Sequence, residues 1–79
     1  MNPERKQTRS WLERALRTPF EKVLDEAKIT PRQREAIRLK FSEGKSNIEI
    51  SFTLHVSAET VRDDLARAYD SISRALREI

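Results

Sequence analysis

Apolar residues return at three- and four-residue steps along this chain, the spacing that lines up one face of a helix. Phe20, Val23, Leu24 and Ala27 stand at i, i+3, i+4 and i+7 and predict a core stripe over 19–28. Further on, Val61, Leu65, Ala68, Ile72, Ala75 and Ile79 alternate steps of four and three, with Tyr69 and Leu76 alongside. No glycine or proline interrupts that seam, which predicts one long helix over 58–78. The whole pattern reads as an all-α chain of about five helices in a small bundle.

Start signals agree with the periodicity. Each of the three prolines follows a residue that caps helices well: Asn2 before Pro3, Thr18 before Pro19 and Thr30 before Pro31. Thr18 with Glu21 and Thr30 with Gln33 also have capping-box spacing, so helices are expected over 3–17, 19–28 and 31–43. The third is expected to bury Ile37 and Phe41, helped by Ala36 and Leu39. Gly44, the only glycine, follows as a left-handed stop.

From Ser46 to Leu65 the signals describe two short helices joined by a tight turn. Ser46 and Glu49 form a capping box, and Ile50 and Leu54 then share one inward face. His55 and Val56 make the turn. Ser57 is the next N-cap, with Val56 and Val61 placed as a hydrophobic staple that fixes the interhelical angle. A fixed angle is what insertion of the second helix into a DNA groove requires.

The first helix carries Trp11, Leu12, Ala15 and Leu16 on one stripe, while Arg5, Lys6, Arg9, Arg14 and Arg17 crowd its remaining surface. A large aromatic beside two leucines gains more from burial than from exposure, so a packed lid is expected rather than a free basic arm. The later turns of the last helix are expected to pack against this lid. Pairing with the same helix of a second subunit is the other use of that seam, although it holds too few heptads for a stand-alone coiled coil.

Composition narrows the classes. A chain of 79 residues, 37% apolar and 37% charged, fits one small helical domain with wet outer faces. With no cysteine there is no disulfide framework and no thiolate metal site. No apolar run approaches the about 18–20 residues of a membrane span, and the N-terminus is charged where a secretory signal is apolar. The expected location is the cytoplasm. Basic residues are concentrated early: positions 1–45 hold 12 Lys and Arg against 7 Asp and Glu, and positions 46–79 hold 4 against 6. Phosphate contacts that supply affinity for an anionic partner are therefore expected mainly from the earlier helices.

Several blocks then stand in a telling order: I-T-P-R-Q-R-E-A-I-R-L from Ile29, E-G-K-S-N-x-E-I from Glu43, L-x-V-S-x-E-T-V-R from Leu54 and L-A-R-A from Leu65. Over 29–76 the chain resembles region 4 of bacterial sigma factors, and nearly as well the LuxR/GerE-type response-regulator domain. The resemblance implies a helix-turn-helix over 29–79, preceded by a helical extension over 1–28, in a single domain. It implies duplex DNA as partner, a small bacterial or phage-type transcription regulator, and a contact with the RNA polymerase β flap. A complete sigma factor is not expected, because no second promoter-binding domain fits in the remaining residues.

If Val61, Leu65 and Ala68 face the core, the 100° step of a helix turns Glu59, Arg62, Asp63 and Ala66 outward, flanked by Ala58, Thr60 and Arg67. Those side chains are candidates for reading bases: Arg62 for guanine O6 and N7, Glu59 for a cytosine amino group, Ala58 or the Thr60 methyl for thymine. Ser57 with its neighbouring amides suits a phosphate. Lys45 and Ser46 are further phosphate candidates, and Arg32 and Arg34 join them because they match basic positions of the sigma-like motif.

Two features depart from the family pattern. Asp63 and Asp64 are expected to repel phosphates. Ile48 and Phe52 are apolar where the family is polar; exposed, they would form a partner surface, but the favoured reading has the N-terminal helix cover them with Trp11, Leu12 and Leu16. Alternative functions are a LuxR/GerE-like dimeric regulator and a protein-interaction module docking on RNA polymerase or a sigma factor. A monomer or weak homodimer is expected. An enzyme is not: His55 is alone in its turn, and no Gly-rich phosphate loop or two-histidine metal spacing is present, so neither cofactor nor metal is expected.

Overall fold

Four helix starts are capped by the side chains that the sequence marks for it. In the computed structural model, which describes residues 2–78, the helices are α1 (Pro3–Arg14), α2 (Arg17–Glu26), α3 (Pro31–Phe41), α4 (Asn47–Leu54) and α5 (Ala58–Glu78). Asn2 Oδ1 accepts from the Arg5 amide at 2.7 Å at the start of α1. Thr30 with Gln33 and Ser46 with Glu49 each make both bonds of a capping box on α3 and α4. The Thr60 amide donates to Ser57 Oγ at 3.0 Å at the start of α5.

The second start differs from expectation. α2 begins at Arg17, two residues before Pro19, with Leu16 as an N-cap that makes no side-chain bond. Proline loses nothing there, because the amides of the whole first turn lack intrahelical acceptors; Phe20 is the first to donate, to the Leu16 carbonyl at 3.0 Å. Correspondingly α1 ends at Arg14, not Arg17, and Ala15 and Leu16 are extended. Leu16 leaves the predicted stripe and is 77% exposed. α3 ends at Phe41, with Ser42 and Glu43 continuing as a turn into Gly44 at φ +69°. The left-handed glycine lets the Lys45 amide reach back to the Leu39 carbonyl at 2.9 Å.

α5 is the axis of the fold, and α1, α2, α3 and α4 all pack against it. At about 1.5 Å per residue its 21 residues run about 30 Å, close to the 33 Å long dimension of the molecule. Its seam is buried as read: Val61, Leu65, Ala68, Tyr69, Ile72 and Ala75 are all in the core, while Ile79 lies outside the described residues. Ala36, Ile37 and Leu39 of α3, Phe20, Val23 and Leu24 of α2 and Ile50 of α4 close on it. Phe41 meets Tyr69 edge to face with ring centroids 6.2 Å apart.

α1 docks on the later turns of α5, as the lid reading expects. Leu12 is buried and Trp11 packs half-buried against the core. Polar contacts fix the register: Arg5 makes a two-armed pair with Asp70 at 2.8 and 2.7 Å, and Arg77 reaches Glu4 at 2.7 Å. Between them the Thr8 and Ser73 hydroxyls share a buried hydrogen bond. The Arg5 guanidinium holds the Asp70 carboxyl below the usual carboxylate range. Among the described residues no helix is long and apolar enough to cross a membrane.

Candidate nucleic-acid interface

The turn between α4 and α5 is made by backbone conformation. His55 is left-handed at φ 57°, and its amide and that of Val56 both return to the Ser51 carbonyl. The histidine thus supplies a geometry that few non-glycine residues adopt. Ile50 and Val61, one on each side of the turn, are fully buried, with Leu54 and Val56 packed against the same core. That shared core holds the two helices at one angle.

Burial of Val61, Leu65 and Ala68 leaves a strip of α5 in solvent. Ala58, Glu59, Arg62, Asp63 and Arg67 are exposed, and Thr60 and Ala66 are partly so. Arg62 makes only a loose 3.8 Å approach to Glu59, both side chains being more than two-thirds exposed, so its guanidinium remains available. Ser57 Oγ is engaged in capping and also bonds Thr60 Oγ1 at 2.9 Å. The amides of the first turn nevertheless carry the positive end of the helix dipole. Ser46 is exposed at the start of α4, where its bonds to Glu49 hold that carboxyl below its usual range, and Lys45 beside it is half-buried.

Asp64 is not a surface charge. It is 5% exposed and accepts from Arg32 Nε at 2.7 Å and Nη2 at 3.2 Å, a two-armed pair that ties α3 to α5. Its expected repulsion of phosphate is therefore corrected: the carboxylate turns inward and is neutralised there. Asp63, one residue earlier, is the member of the acidic pair that stays on the outer strip, where Glu59 is exposed as well. Arg34 is held by Asp25 at 2.5 Å and lies 3.7 Å from Glu21, which Arg38 also meets at 2.5 Å. These arginines knit α3 to α2, and hydrogen bonding to Glu21 raises the Arg38 pKa above its ordinary value. Arg32, half-exposed, still presents an edge to solvent.

Ile48 and Phe52 are 60% and 74% exposed. The reading that α1 covers them is corrected, because the apolar stripe of α1 is spent on α5 and Leu16 points to water. They form an uncovered apolar pair on the outer face of α4.

One feature escaped the sequence. Beside Arg62 lies a shallow cleft of about 380 Å³ whose walls come from four helices: Arg5 and Arg9 of α1, Lys40 of α3, Asn47 of α4, and Arg62, Leu65, Ala66 and Tyr69 of α5. Positions so far apart in the chain give no local signal.

The family model described as Sigma-70, region 4 matches residues 27–72, more than half of the chain. The chain belongs to the sigma-70 region 4 family. That family is one of DNA-binding helix-turn-helix domains, and the matched stretch contains all of α3, α4 and the turn into α5. α1 and α2 precede the region 4 match, so the basic lid is an addition to the family motif. No curated protein and no solved structure matches the chain.

Proposed function

We propose that the protein is a small transcription regulator that places the first turns of α5 in the major groove of duplex DNA. The observation that carries this reading is the exposed α5 strip of a sigma-70 region 4 motif, with an arginine at its centre that no close carboxylate pins. Arg62 reads guanine, Glu59 accepts from cytosine, and Ala58 with the Thr60 methyl contacts thymine; Asp63 and Arg67 border the site. Lys45, Ser46, Ser57 and the outer edge of Arg32 meet backbone phosphates, while Arg34, engaged with α2, contributes less. Such a regulator acts in the bacterial cytoplasm as a monomer or weak homodimer.

A second reading is favoured by one observation, the exposure of Ile48 and Phe52. A docking module for RNA polymerase or a sigma factor would present such a pair to its partner.

Equilibrium binding to random-sequence duplex DNA across a salt series tests the first reading. Affinity that falls steeply with salt and weakens in Arg62→Ala is the expected result. No binding even at low salt would remove autonomous DNA recognition and leave the docking reading.

A further inference from the structure

The cleft beside Arg62 has a composition that calls for an anion. Four cationic side chains from three helices line it and no carboxylate does. Two of the four are neutralised from outside: Arg5 by Asp70, and Arg9 in part by Glu13 at 3.2 Å. Among the described residues Lys40 has no such partner. Its ammonium donates to the neutral Asn47 Oδ1 at 3.1 Å, it is half-buried, and it shares the wall with Arg9. Loss of water and the nearby Arg9 guanidinium push its pKa down, with Glu13 compensating less than Arg9 opposes. Like charges lining one cleft are unfavourable until an anion joins them.

The groups at hand suit a phosphate. Lys40 and Arg9 supply charge, and Asn47, whose Oδ1 is taken by Lys40, keeps its amide N–H groups as donors. Tyr69 on the floor stays a protonated phenol, its pKa pushed up to about 12 by burial. Arg62 belongs both to this cleft and to the exposed strip of α5, so the cleft adjoins the surface that would meet DNA.

We propose that this cleft is a phosphate-binding site in which Arg9, Lys40 and Asn47 hold a backbone phosphodiester at the edge of the groove that α5 enters. The basic lid α1 then extends the DNA footprint beyond the region 4 motif. The proposal rests on the DNA-binding reading for the source of the phosphate, and two experiments separate the two.

The first compares salt slopes on random-sequence duplex DNA for the wild type, Arg9→Gln/Lys40→Gln, and a charge-matched control, Lys28→Gln/Arg74→Gln, from a surface outside the cleft. Every phosphate that the protein no longer neutralises lowers the slope by about 0.9. A fall in the cleft variant beyond that of the control, with unchanged melting temperature, is the expected result. The second titrates inorganic phosphate while following the Asn47 side-chain amide and Tyr69 by NMR. Shifts there that vanish in Arg9→Gln/Lys40→Gln are expected. If the wild type binds no DNA but phosphate moves these resonances, the site stands with a free phosphate ester as ligand and the DNA reading falls. If the slope in the cleft variant equals the control and phosphate leaves both resonances unmoved, the site is overturned, whether or not DNA binds through Arg62.

Discussion

Arg32 of α3 donates through Nε and Nη2 to both carboxylate oxygens of Asp64 on α5, at 2.7 and 3.2 Å, with the acid buried and the arginine half-exposed. The asymmetry has a consequence for stability. Arg32→Ala strands a buried carboxylate and is expected to destabilise the fold by about 2–3 kcal/mol, below the range for fully buried pairs because water reaches the site. Asp64→Ala leaves a guanidinium that water can solvate, and about 1 kcal/mol is expected. Urea denaturation of the two variants measures the order; equal losses would contradict it. Any use of Arg32→Ala to probe DNA contact needs this folding control.

The docking of α1 is expected to depend on acid. The Asp70 carboxyl lies below its usual range chiefly because Arg5 hydrogen-bonds to it, with their charge attraction adding to this. A depressed folded pKa contributes stability that is present above the ordinary carboxylate value of about 4 and is lost as pH falls through the folded value. Thermal melts should therefore show a declining limb below about pH 4 that is shallower in Asp70→Asn. An identical limb in the variant would place the acid sensitivity elsewhere.

The buried hydroxyl pair of Thr8 and Ser73 sets the register of α1 on α5. Thr8→Val removes one partner and leaves the other to seek a bond, so about 1–2 kcal/mol should be lost. Retreat of the Ser73 hydroxyl to the carbonyl one turn earlier limits the damage. Adding Ser73→Ala should recover part of the loss. A double-mutant cycle with no coupling would show that the two hydroxyls act independently.

Ile48 and Phe52 pack on nothing within the described residues that hides them from water. Ile48→Ser and Phe52→Ser are each expected to change stability by no more than about 0.5 kcal/mol. Chemical denaturation decides: a loss above about 2 kcal/mol in either would mean that the chain does cover them.

What was legible in the sequence was local. Thr30, Ser46 and Ser57 act within three residues of themselves, and the α5 seam repeats itself, so α3, α4 and α5 start where spacing put them. Thr18 and Pro19 misled because proline is tolerated throughout a first turn, and nothing in Ala15 or Leu16 marks the break between α1 and α2. Asp64 looked like a surface acid because its neutralising partner stands 32 residues away, and Thr8 meets Ser73 across 65. The exposed strip around Arg62 followed from helical phase once Val61, Leu65 and Ala68 were placed inside. The cleft did not, because its cationic wall exists only after α1 has docked.

The central claim is that α5 reads base sequence, and selection from a randomised duplex pool tests it most directly. Wild-type protein should enrich a short consensus, and Arg62→Ala, with its fold intact, should lose preference at one or two positions, each worth about 1–3 kcal/mol. No enrichment by the wild type, or the same consensus from Arg62→Ala, would contradict the assignment of Arg62 and the α5 strip as the base-reading surface.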